Sequence, residues 1–131
     1  MMKVENSTVS TTGDSSPAIM IADGGGILIA DGGSFTTSGA MSQGIYSKGD
    51  VTVTNASVNA LNAKAAVLKG NNTITLSGTT LEGKETADTI PYNIVLFSDE
   101  KDIGTMGTQH FDVRGGSLIS HKGGMFLSLI H

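Results

Sequence analysis

The chain has 131 residues, a net charge of −4 and only 15% charged residues, with 18 glycines, two prolines and no cysteine. Its eight basic residues form no cluster, so nucleic acid has no electrostatic footprint to meet, and no run of eighteen apolar residues is present to cross a membrane as a helix. Without cysteine, a disulfide, a thiolate metal site and a cysteine nucleophile are all excluded.

Along the chain one octet recurs five times: 2–9 (MKVENSTV), 28–35 (LIADGGSF), 51–58 (VTVTNASV), 74–81 (ITLSGTTL) and 111–118 (FDVRGGSL). Its first, third and last columns are apolar in every copy, and its second and fourth are polar or charged except at Ile29. That alternation predicts a strand with one buried and one wet face. The fifth column holds only Asn6, Gly32, Asn55, Gly78 and Gly115, the two residue types that enter the left-handed region at least cost, so a bend is expected there in each copy. The seventh column is always a hydroxyl, against 29 Ser and Thr in the whole chain, and is expected to bond to backbone beside the bend.

A second apolar segment follows each octet, at 18–21, 44–47, 66–69, 93–97 and 125–128, and Gly- or Asn-rich turns follow the first three, at 23–26, 48–50 and 70–72. The polar stretch 10–17 reads as a loop, and so does 59–66, whose alanines alone would allow a helical turn. The last-column residues are spaced 26, 23, 23 and 37 apart. A period in the low twenties is too short for two strands and a helix and suits one turn of a stacked repeat. The fourth repeat carries two expanded loops, 82–92 and 98–109, the first place to look for a ligand site.

With this strand, Asn/Gly, small residue, Ser/Thr and apolar pattern, the chain resembles the right-handed parallel β-helix, the pectin-lyase-like repeat region of bacterial surface and adhesin-like proteins. The resemblance covers nearly all of the chain. It implies an all-β solenoid of about five coils, a single domain over 1–131, with coils beginning near 2, 28, 51, 74 and 111. Such stacks need polar caps, and the apolar segment 125–130 has none after it. The chain is therefore expected to be a fragment of a longer solenoid, or to self-associate or meet a partner through an uncapped end. No signal peptide is visible before the first octet.

Four groups of residues are weighed as sites. Tyr92, Asp99, Glu100 and Asp102 lie in the expanded loops. The last three resemble the start of a calcium loop, but Lys101 and Ile103 stand where oxygen ligands are required, and a solvated acidic loop is the plainer account. The glycine-rich stretches 21–25 and 29–33 fit neither the calcium-binding nonapeptide nor a phosphate loop. Glu5 and Asp31 share the fourth column in consecutive copies, and Asp112 and Arg114 share one outward face. In the lyases that this fold resembles, an arginine can serve as base beside calcium-binding acids; a local ion pair is the commoner account. The histidines at 110, 121 and 131 have no metal-ligand spacing. The reading is a non-catalytic extracellular or cell-surface module, adhesin-like, with polysaccharide or a host surface as the partner class and no required cofactor. The alternatives are a fragment of a polysaccharide lyase or glycoside hydrolase, or a spacer without ligand.

Overall fold

A computed structural model describes residues 1–22, 26–85, 92–98, 109–121 and 124–130, with backbone alone for 95–98 and 127–130. The protein is all-β, with no helix among the described residues. Eleven strands run in chain order: β1 (Met2–Thr11), β2 (Ile19–Ile21), β3 (Ile27–Thr37), β4 (Ile45–Ser47), β5 (Asp50–Thr54), β6 (Ser57–Ala60), β7 (Ala66–Lys69), β8 (Thr73–Gly83), β9 (Tyr92–Ser98), β10 (His110–Ser120) and β11 (Gly124–Ile130).

They form two parallel sheets. One is ordered β1-β3-β5-β8-β10, with β6 lying between β3 and β8 beside β5; the other is ordered β2-β4-β7-β9-β11. The chain alternates between the sheets, so consecutive repeats become consecutive layers. The register is that of the octets: Met2 pairs with Leu28, Leu28 with Val51, Val51 with Ile74 and Ile74 with Phe111. In the second sheet Ile19, Ile45, Ala66, Ile94 and Phe126 form the corresponding column.

Burial follows the columns. Val51, Val53, Val58, Ile74, Leu76 and Leu81 are at most 1% exposed, and they join Ile19, Ile45, Leu68 and Ile94 of the second sheet in one core. At about 25 cal/mol per Å² of apolar area removed from water, these columns are the main source of stability. The terminal layers bury much less. Met2 is 60% exposed at one end, and Val113 is 37% and Phe126 48% exposed at the other.

The bend falls where expected. Asn6, Gly32, Asn55, Gly78 and Gly115 all have positive φ, between 45° and 74°. In the next column Gly33 sits at φ 99°, and a Cβ there would collide with the backbone of Ser7 in the layer beside it, so two independent constraints demand glycine. The hydroxyl that closes the bend is in the sixth column and not the seventh. Ser7 Oγ donates to Glu5 O at 2.9 Å, and Thr79 Oγ1 lies 2.9 Å from Val53 O and 3.2 Å from Ser77 O. The sixth-column side chain points toward the chain that has just turned, whereas the seventh stands on the next outward face.

Polar corners join the layers. Thr11 and Thr37 donate to the carbonyls of Ser16 and Ser42, and Ser42 Oγ accepts from Ser16 N and donates to Gly13 O in the adjoining layer. At another corner Lys64 Nζ lies 3.0 Å from Glu85 Oε1, with side chains only 7% and 4% exposed. Asn93 Oδ1 accepts from Glu85 N at 3.0 Å, and Asn93 Nδ2 donates to Ser120 Oγ. The stretch 59–66 is not wholly loop, because Asn59 and Ala60 complete β6.

Candidate functional site: a polar groove at one corner

Asn59 of β6 pairs in register with Glu82 of β8, which pairs with Ile119 of β10. Just beyond this column the chain turns in three adjacent layers, through Leu61–Asn62, Lys84 and His121. The turns are tied across layers: Leu61 N donates to Thr37 O, Lys84 N to Ala63 O and His121 N to Gly83 O, at 2.9 to 3.1 Å. This backbone frame holds a groove of about 520 Å³ lined by Asn59, Ala60, Leu61, Asn62, Glu82, Lys84 and His121.

His121 Nε2 lies 2.5 Å from Glu82 Oε1, the imidazole half exposed and the carboxylate one-quarter exposed. Asn62 Nδ2 donates to Ser38 O at 2.7 Å, which fixes the amide and leaves its carbonyl oxygen as the acceptor for a ligand. The groove thus offers two amides, a carboxylate, an imidazole and an ammonium within a fixed frame. These groups recognise hydroxyls and carboxylates by hydrogen bonding. Sequence reasoning missed the groove. Glu82 and Lys84 fall within the expanded loop 82–92 and His121 is weighed only as a metal ligand, while Asn59 and Asn62 carry no motif. Extending the octet by one column would have aligned Ser10, Thr36, Asn59, Glu82 and Ile119 on one outward face.

The residues singled out from the sequence are dispersed. Tyr92 is the first residue of β9 and not a loop residue; it is half-buried, and its ring lies across Gly124. The strand reaches that residue because its backbone pairs with Gly124 of β11. The first expansion is accordingly shorter at both ends, since β8 continues through Gly83. Asp99, Glu100 and Asp102 lie outside the described residues. Glu5 and Asp31 are register partners on adjacent strands, about 4.8 Å apart along the ladder. Glu5 pairs with Lys3 at 2.9 Å. The Lys3 ammonium is held above its ordinary value, first by its hydrogen bond and charge interaction with Glu5 and then by Asp31.

Asp112 and Arg114 make an exposed ion pair, with Nε at 3.2 Å and Nη2 at 3.0 Å from Oδ2. Arg114 shares the fourth column with Asp31 but stands three strand spacings away, about 14 Å. The structure therefore does not assemble Asp31 and Arg114 into one site. Among the described residues no three His, Asp or Glu side chains are grouped to hold a metal ion. None of the described helices is long and apolar enough to cross a membrane, since no helix is described.

Comparisons with family models, with curated proteins and with solved structures find no match.

Proposed function

We propose that the chain is a right-handed parallel β-helix module of a secreted or cell-surface protein, adhesin-like, that binds glycan without catalysing a reaction. The groove carries this reading. Asn59, Asn62, Glu82, Lys84 and His121 present hydrogen-bonding groups of both polarities from a rigid backbone frame. Glu82 and Lys84 lie where the longer connection leaves β8, and expanded loops on repeat scaffolds are common sites of recognition. Lys84 adds a preference for sugars that bear a carboxylate. The outer ladders support a ligand-binding scaffold: Thr52, Thr54, Thr75 and Ser77 are small, polar and half-buried.

The test is calorimetric titration with neutral and uronate-containing oligosaccharides. Binding is expected for the uronates, weakened about tenfold or more by Lys84→Ala and by Asn59→Ala, the scale of one lost charged or buried hydrogen bond. Binding that is unchanged in both variants, or no binding across the panel, would overturn the proposal.

A further inference from the structure

The two terminal strands of the first sheet complement each other. β1 carries Lys3 and Glu5 in the second and fourth columns, and β10 carries Asp112 and Arg114 in the same columns. Between them the columns hold Ile29 and Asp31, then Thr52 and Thr54, then Thr75 and Ser77. Opposite-charge dyads are thus found on both end strands, and their order is reversed from one end to the other. Continuing the register past β10 sets Lys3 of a second copy beside Asp112, and Glu5 beside Arg114. Had the two dyads shared one order, the same stacking would have opposed like charges.

The apolar columns continue across the same junction. Met2 would follow Phe111, Val4 would follow Val113, Val9 would follow Leu118, and Ile19 would follow Phe126. In the single chain Met2, Val113 and Phe126 are substantially exposed. An apolar cavity of about 190 Å³ at the β1 end is lined by Met2, Val9, Ile19 and Phe35 among others. At the other end Phe111 and Phe126 form an edge-to-face pair with centroids 5.5 Å apart. Among the described residues β1 and β10 are the outer strands of their sheet, each with one backbone edge that no described strand pairs.

We infer that this chain associates with copies of itself head to tail, the β10–β11 end of one molecule stacking in parallel register on the β1–β2 end of the next, with Lys3–Asp112 and Glu5–Arg114 as the matching contacts. The occupant of each end is a second copy because the charge pattern of one end answers that of the other column by column. The interface is heterologous, so it repeats without closing unless the rotation per molecule closes a ring. It does not depend on the groove or its ligand.

The experiment is sedimentation velocity over about a hundredfold range of concentration, at about 0.1 M and 1 M salt. It compares the parent chain, a tail variant (Asp112→Lys with Arg114→Glu) and a head variant (Lys3→Glu with Glu5→Lys). Each variant keeps an ion pair within its own strand, and a β-rich circular dichroism spectrum with a melt near that of the parent confirms folding. The parent is expected to grow in mass with concentration without stopping at two copies. Each variant alone is expected to associate at least about tenfold more weakly at low salt, the scale of two pairs turned from attraction to repulsion. An equimolar mixture of the two variants is expected to regain association, since every junction in an alternating stack is again complementary. A parent that stays monomeric throughout, a dimer that closes at two, or a mixture no stronger than its separate components would each overturn the inference. Should the double variants fail to fold, Arg114→Glu alone, which turns one of the two pairs by setting an acid beside Glu5, must still weaken association by about threefold, the scale of one such pair.

Discussion

Lys64 and Glu85 give the sharpest test of how the corners work. Their charges are 3.0 Å apart, and 93% or more of each side chain is withdrawn from water. At an effective dielectric near 20 their attraction is about 5 kcal/mol, much of which offsets the cost of dehydrating two ions. The net worth of the pair is therefore small, while the cost of breaking it is large. Lys64→Met leaves the Glu85 carboxylate buried without its ammonium and should destabilise by about 3–5 kcal/mol; Glu85→Met, which removes the carboxylate beside the buried ammonium, should also destabilise, by more than about 1 kcal/mol. Replacing both should cost about 1 kcal/mol or less, because two dehydrated charges are exchanged for apolar contact. Urea melts of the four proteins, monitored by circular dichroism with a common slope, close the double-mutant cycle. The reasoning fails if either single variant costs under about 1 kcal/mol, or if the double variant costs the sum of the two.

Depth in the stack should set the cost of identical core changes. Val53→Ala, at 0% exposure, should cost about 2–3 kcal/mol in denaturant melts at low protein concentration, and Val113→Ala of the same column, at 37%, under about 1 kcal/mol; equal losses would contradict the layer assignment. At the bend, Gly33→Ala combines positive φ with a backbone collision and should lower the melting temperature by more than Gly115→Ala, whose Cβ meets nothing within 4 Å; Gly115→Asn should be nearly neutral, as Asn6 and Asn55 hold that column elsewhere. Lys3 should titrate above the ordinary lysine value in a ¹⁵N NMR titration, and Glu5→Gln should return it toward that value. Because its pKa is raised on folding, its contribution is complete below the unfolded value and fades as the pH climbs through the folded one, so the contribution is present at neutral pH and its loss is confined to alkaline pH.

Much of this architecture was legible because the repeat is local. Column polarity dictates which way each residue faces, and a fifth column restricted to Asn and Gly announces a left-handed residue before any contact is known. The alignment of octets then gives the ladder register, since parallel strands with one buried face tolerate no one-residue slip. The corners were not legible in the same way. Lys64 meets Glu85 across 21 residues, and His121 meets Glu82 across 39, through turns of unequal length. Which turns abut depends on three-dimensional stacking and not on a period. Tyr92 misled for a related reason: its preceding proline suggests a loop, yet β-sheet pairing with Gly124 draws it into β9. The sixth-column hydroxyls were overlooked because only Ser7 and Thr79 carry one, so composition offered no regular signal.

The invariant register has a consequence for how such a chain can change its length. The principal contacts of a strand in the first sheet are with the strands directly before and after it in the ladder. The stretch from Val51 to Thr73 is one whole period, because Val51 already pairs with Ile74. A tandem duplication of that stretch would set each new residue between two of its own column, the original Val51 and its kin on one side and Ile74 and its kin on the other. The columns would gain no new kind of neighbour, but Lys64 of the earlier copy would face a second 59–66 turn in place of Glu85, so that corner would have to change as the molecule grows by about 4.8 Å. Reach is thus a quantity that duplication and deletion can adjust in fixed steps, while the corner groove, drawn from specific layers, can be kept or lost as a unit.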